Sequence, residues 1–135
     1  MLLKSLLSLL LLVGTAGLHI STSQHKPQSM DNKTFSVEVI RYNIPQDKGA
    51  AFEKAYAEAG KHLQASPYCL GYQVLHGNDE PDHYIVIIHW ISKEEHLQGF
   101  RKSPEFGPFF NLVKPFYNNI EEMKHYDQTA TVWTK

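Results

Sequence analysis

Nine residues, His83-Tyr-Ile-Val-Ile-Ile-His-Trp-Ile91, constrain this chain more than any others. In an extended backbone Tyr84, Val86, Ile88 and Trp90 point one way, and Ile85, Ile87 and Ile91 the other. A strand that is apolar on both faces must be covered twice, so it belongs inside a sheet with material above and below it. The next twenty residues are equally directive. Ser92-Lys93-Glu94-Glu95 fits a capping box that starts a helix. Ser103-Pro104-Glu105 opens a second helix, with proline where its missing N–H costs nothing. Phe106, Phe109, Phe110 and Val113 then share one helical face.

The rest of the chain supplies what this strand needs. Phe35 to Ile44 alternates as a strand, with Phe35, Val37 and Val39 opposite Ile40, Tyr42 and Ile44, and Pro45 closes it. Asp47 is placed to cap a helix running to about Ala65, whose stripe is Phe52, Ala55, Tyr56, Ala59 and Leu63. Tyr68 to His76 reads as a second strand, with Tyr68, Leu70, Tyr72 and Val74 on one face and a bulge at Gly71. Residues 77–82 carry the turn chemistry of a hairpin. Ile120 to Gln128 reads as a polar last strand. Strand, helix, strand, strand, helix pair, strand is the split βαβ order of an α+β, ferredoxin-like fold. Right-handed crossovers put the helices on one face of a four-stranded antiparallel sheet. The other face keeps its apolar side chains, which predicts a homodimer related by a two-fold axis.

At 135 residues the chain has room for one such domain, over 34–128, with a short tail at 129–135. Residues 1–16 combine Lys4, the apolar run SLLSLLLLV and a small-residue stretch around Ala16, which predicts a secretory signal peptide and a secreted or periplasmic protein. The polar stretch 17–33 reads as a disordered tether. The apolar run is too short for a comfortable membrane span of ~20 residues, so no stable span is expected after cleavage. A net charge of −1 without a long basic run argues against nucleic acid as a partner. The single cysteine, Cys69, excludes an internal disulfide. The eight histidines form no metal-binding frame, so no metal is expected.

The run W-x-S-x-E-x-H-x-x-G-F-R-x-S-P-E-F, Trp90 to Phe106, resembles the antibiotic biosynthesis monooxygenase (ABM) family. So do the Phe52/Tyr56 helix, the Ser66-Pro67…Gly71-Tyr72 segment and the stretch from Pro115 to Tyr126. The resemblance implies a dimeric α/β barrel with a small-molecule pocket between helices and sheet in each subunit. It also implies oxidoreductase chemistry of a cofactor-independent monooxygenase type, in which a phenolic or quinonoid aromatic is deprotonated and meets oxygen in a dry cavity. Haem-degrading relatives combine an Asn on the first strand, a Trp on the third and a ligating His on the following helix. Trp90 matches, but Ile40 and Phe110 stand at the other two positions and can do neither job, which disfavours haem degradation.

The pocket candidates are Trp90, Tyr42, Tyr72, Phe100, Phe109 and Phe110, with Arg41, His83, His89 and His96 as possible polar groups. Each has an ordinary alternative. The large aromatics read equally as core. His83 and His89 read as satisfied histidines on the barrel side, His96 as exposed near a helix start, and Arg41 as an ion-pair partner for Glu38 or Glu122. No catalytic base is assigned. Three readings therefore stand together: an oxygenase of an aromatic substrate, a non-catalytic ligand-binding dimer, and an interaction module whose cavity its own side chains fill.

Overall fold

The computed structural model describes residues 35–135, so the expected signal peptide and tether lie outside the described residues. Four strands, β1 (Ser36–Asn43), β2 (Cys69–His76), β3 (His83–Trp90) and β4 (Ile120–Asp127), form one antiparallel sheet in the order β2-β3-β1-β4. The doubly apolar strand, β3, is central, as its composition demands. Helices α1 (Gly49–Ala65) and α2 (Phe106–Val113) lie against one face, completing the ferredoxin-like α+β arrangement.

The alternation of β1 divides the sheet. Ser36, Glu38, Ile40 and Tyr42 are buried under the helices, while Val37, Val39 and Arg41 are only half-buried on the opposite face. On β3, Tyr84, Val86, Ile88 and Trp90 face the helices, and His83, Ile85, Ile87 and His89 face out. Phe52, Tyr56, Ala59 and Leu63 of α1 are fully buried against the inner face, which fulfils the predicted stripe. Each such large side chain contributes roughly 1.5–3 kcal/mol on leaving water. Gly60 belongs to this packing, since the Tyr72 hydroxyl lies 1.8 Å from where a Cβ on residue 60 would sit.

Several local expectations change. Asp47 caps nothing: the chain enters α1 through a 3₁₀ turn, Gln46–Lys48, whose last N–H bonds Pro45 O at 2.8 Å. The bulge expected in β2 falls between Cys69 and Gly71, and it breaks the simple alternation there. Leu70 consequently turns out to solvent, 51% exposed, instead of sharing a face with Tyr72 and Val74. Ser92 Oγ does accept the Glu95 N–H at 3.0 Å. The segment it starts is no plain α-helix, however. It passes into a π-helical turn, Glu95–Gly99, and a 3₁₀ turn, Phe100–Lys102, before α2 begins at Phe106, two residues beyond Pro104. A further 3₁₀ turn, Lys114–Asn119, leads into β4. Residues 128–135 carry no regular structure, and among the described residues no helix is long and apolar enough to cross a membrane.

Candidate functional site

Between the inner face of the sheet and the segment from the π turn to α2 lies a cavity of about 310 Å³. Its walls are mostly aromatic, and the rings meet edge to face: Phe100 packs on Phe109 at 5.4 Å and 74°, and Phe106 on Phe100 at 5.7 Å and 90°. Trp90, Tyr42, Phe100, Phe109 and Phe110 all line it. Ile40 and Phe110, the positions compared with the Asn and His of haem degraders, line it too, as hydrocarbon.

Four candidates, Arg41, Tyr72, His83 and His89, lie elsewhere. Arg41 follows Ile40 and precedes Tyr42, so strand alternation turns it to the opposite face. There it donates to Glu80 at 2.9 Å and Glu121 at 3.1 Å, and to neither expected partner, Glu38 nor Glu122. Tyr72 lies over Gly60 on the β2 side and borders a separate, shallower groove with Tyr84 and His76. His83 also faces the other side, between Asp82 at 2.8 Å and Glu121 at 3.3 Å.

The polar chemistry of the cavity comes from Glu38, which sequence reasoning did not select for it, and from His96, which was named as a possible polar group but expected to be exposed. Glu38 is 2% exposed, and its Oε2 accepts the Trp90 Nε1–H at 3.0 Å. The sheet explains the pairing: Glu38 sits opposite Ile88 on β3, with Trp90 two residues further along the same face. On its other side Glu38 stands directly opposite His125 of β4. His96, expected to be exposed, is 3% exposed. Its imidazole lies parallel to the Trp90 ring, centroids 4.3 Å apart at 3°. The π turn positions it, with the Phe100 N–H shared between the carbonyls of Glu95 and His96.

The hydrogen bonds assign the tautomers. Arg101 Nε can only donate, so His96 Nε2, 3.3 Å away, accepts. Neutral His96 then carries its proton on Nδ1 and donates to His125 Nε2 at 2.8 Å. Glu38 Oε2 lies 3.7 Å from the same Nδ1, close but too far for a direct hydrogen bond. Burial pushes the Glu38 carboxyl above its ordinary value, against the opposing pull of the Trp90 N–H and the Arg101 charge. Burial, with the charges of Arg101 and His125, pulls His96 down to about 3. His125 is lowered by burial and by Lys93 and Arg101.

The cavity also touches a second polar pair. Tyr42 Oη and Tyr56 Oη are buried 2.6 Å apart. Burial raises Tyr42 to about 12 and Tyr56 well above its ordinary value, so both hydroxyls stay protonated at neutral pH. One of their two protons joins the pair and the second is left for another acceptor. The cavity thus combines a buried carboxylate, a neutral histidine and a tyrosine donor within an aromatic enclosure. That is the equipment for binding a flat aromatic and taking a proton from it.

Comparison with known proteins agrees with this fold. The sequence pattern of the antibiotic biosynthesis monooxygenase family matches residues 36–112, more than half of the chain. Uncharacterized protein YczJ of Bacillus subtilis is 22% identical over 89 residues, covering 66% of this chain and 94% of that protein. Among solved structures, a Bordetella bronchiseptica protein assigned to the antibiotic biosynthesis monooxygenases superposes with a TM-score of 0.60 at 19% identity, covering 73% of this chain and 99% of that one. SnoaB, a cofactor-independent oxygenase from Streptomyces nogalater, superposes with a TM-score of 0.55 at 18% identity, covering 74% and 96%.

Proposed function

From the premise that this chain belongs to the antibiotic biosynthesis monooxygenase family, we propose that it is an oxygenase of a phenolic or quinonoid aromatic compound that works without a cofactor. The observation that carries this reading is the placement of Glu38: a buried carboxylate, held by the Trp90 indole N–H, on the wall of an aromatic cavity. A carboxylate whose pKa is raised is a stronger base than one in water. Glu38 takes a proton from the bound substrate, and the enclosure favours the delocalised anion through its edge and hydroxyl contacts. The anion gives one electron to molecular oxygen, and the resulting carbon radical and superoxide combine to a carbon-bound peroxide anion. Return of the proton from Glu38 gives the hydroperoxide, and loss of water from it leaves the carbonyl of a quinone. Per turnover one methylene and one oxygen molecule become one carbonyl and one water.

Oxygen uptake across a panel of anthrones and related phenols that carry an acidic ring methylene tests this. Turnover of at least one compound is expected, and Glu38→Gln lowers kcat by about 10²–10⁴, the usual worth of a positioned base. The base acts only when ionised, so the rate falls in acid, at a higher pH than a solvated glutamate would give. Saturable binding of these compounds without oxygen uptake overturns the oxygenase reading in favour of a ligand-binding dimer.

The half-buried outer face of the sheet, with Val37, Val39, Ile85 and Ile87, supports a second copy of this chain as the covering partner. Export is part of the same proposal, motivated by the charged and apolar first 16 residues. Mass spectrometry of the mature N-terminus checks it, and an intact Met1 on the extracted protein speaks against it.

A further inference from the structure

We propose that Glu38, His96 and His125 form a binding site for one divalent transition-metal ion, with a Glu38 carboxylate oxygen, His96 Nδ1 and His125 Nε2 as its ligands. The proposal rests on the geometry of the cluster and not on the oxygenase reading.

Three elements that are distant in sequence bring these groups together. Glu38 comes from β1, His125 stands directly across from it on β4, and the π turn delivers His96. One ligand atom from each lies within 4.8 Å of the other two. The imidazole nitrogens are 2.8 Å apart, and Glu38 Oε2 is 3.7 Å from His96 Nδ1. Ligands held ~2.1 Å from one ion at angles of 90–110° stand about 3.0–3.4 Å from each other. The cluster therefore needs adjustments of about an ångström, within reach of side-chain torsions. Two imidazoles and one carboxylate select borderline ions such as Zn²⁺, Co²⁺ or Fe²⁺ over Mg²⁺ and Ca²⁺, which prefer all-oxygen sets.

The surroundings suit a ligand set. The Trp90 Nε1–H holds the Glu38 carboxylate, and the Trp90 ring fixes the plane of His96. Glu38 and His96 line the cavity, so the remaining coordination positions face it. The other histidine–carboxylate cluster, around His83, differs. Its Glu80 and Glu121 already accept from Arg41, and it lies on the outer face.

Arg101 gives the site a distinctive signature. Its Nε–H donates to His96 Nε2, which leaves the His96 proton on Nδ1. An ion on Nδ1 requires that proton to sit on Nε2, where it would oppose the Arg101 donor. Arg101 is exposed and must swing away. Its positive charge also opposes the ion. Loss of Arg101 should therefore tighten metal binding, the reverse of what loss of a supporting residue does. A bound ion also occupies the Glu38 carboxylate, so metal binding and proton abstraction are competing uses of one group.

The experiment is a titration of tag-free, chelator-treated protein with Co²⁺ followed by visible absorbance, and with Zn²⁺ by calorimetry. One ion per chain is expected. His125→Ala should weaken binding by more than the ~10–100-fold typical for loss of a group that merely orients a ligand. Arg101→Ala should tighten it several-fold, and His83→Ala should leave it unchanged. Histidine nitrogen NMR of the unmutated protein gives a readout that needs no variant: Zn²⁺ moves the His96 proton from Nδ1 to Nε2. Absence of saturable binding, or binding that survives His125→Ala with the His96 tautomer unchanged, overturns the site. Binding in a protein that consumes no oxygen leaves the site standing and removes only the oxygenase reading.

Discussion

The two faces of the sheet share the same strands and the same alternation, yet only one is finished within the chain. The inner face carries Glu38, Tyr42, Ile88 and Trp90, all buried beneath α1 and the turns leading to α2. The outer face carries Val39, Ile85, Ile87 and His89, each half-buried, and the Arg41–Glu80–Glu121 ion pairs at its edge. On the inner side polar groups are few, and Glu38, His96 and the Tyr42–Tyr56 pair have specific partners. On the outer side charges are paired in water, where such pairs add little. The difference separates two tasks: the closed face builds a chemical environment, and the open one leaves the area that the proposed second copy would cover.

Substitutions that blur this contrast should have graded effects. The largest comes from Trp90→Ala, which removes the ring joining β3, His96 and Phe100 and leaves the buried Glu38 without its donor. It should cost about 3–5 kcal/mol in urea unfolding, and a loss below ~1 kcal/mol would show that the inner face is not one packed unit. Ile87→Asp strikes the open face. Each isoleucine shielded by a partner contributes about 1.5–3 kcal/mol, and a carboxylate turns that gain into a cost. Sedimentation should show a dimer becoming a folded monomer, whereas an unchanged mass would sink the two-copy proposal.

Acid supplies a smaller and more selective probe of the inner face. His96 is depressed to about 3, so the stability it contributes is present above its unfolded value near 6.5 and is lost as pH falls toward 3. Glu38 is shifted upward and acts in the opposite sense, its contribution being present at low pH and lost as pH rises through its folded value. Thermal melts of the parent should decline through the histidine window, and His96→Gln should flatten that decline. Arg41→Ala should do least, leaving the unfolding midpoint within error because its pairs are solvent-exposed.

How much of the molecule is legible in its sequence depends on the range of the interactions. β3, the α1 stripe and the Gly71 bulge rest on periods of 2 and 3.6 or on a single residue's lack of a side chain, and these are local. The aromatic half of the site was legible for the same reason, since Phe106, Phe109 and Phe110 announce a helical face. The polar half was legible only in part, since Tyr42 and His96 were named and Glu38 was not. Glu38 sits in a strand with an ordinary alternation, and only the register against β3 and β4 reveals a tryptophan N–H and a histidine beside it. His96 follows a capping sequence that normally faces water, and the π turn behind it rotates it inward. Arg41 shows the converse: its charge suited a ligand, but its parity on β1 turned it away and left the ion-pair reading, with Glu80 and Glu121 as the partners.

The cavity wall bears on time rather than on energy. The floor of the cavity is the sheet, but its outer side hangs on the π turn, the 3₁₀ turn and the eight residues of α2. Short helical pieces open at lower free energy than central strands. Local opening of residues 95–113 is therefore expected at lower free energy than opening of the sheet, so hydrogen exchange should run earlier in the wall than in the floor beneath it.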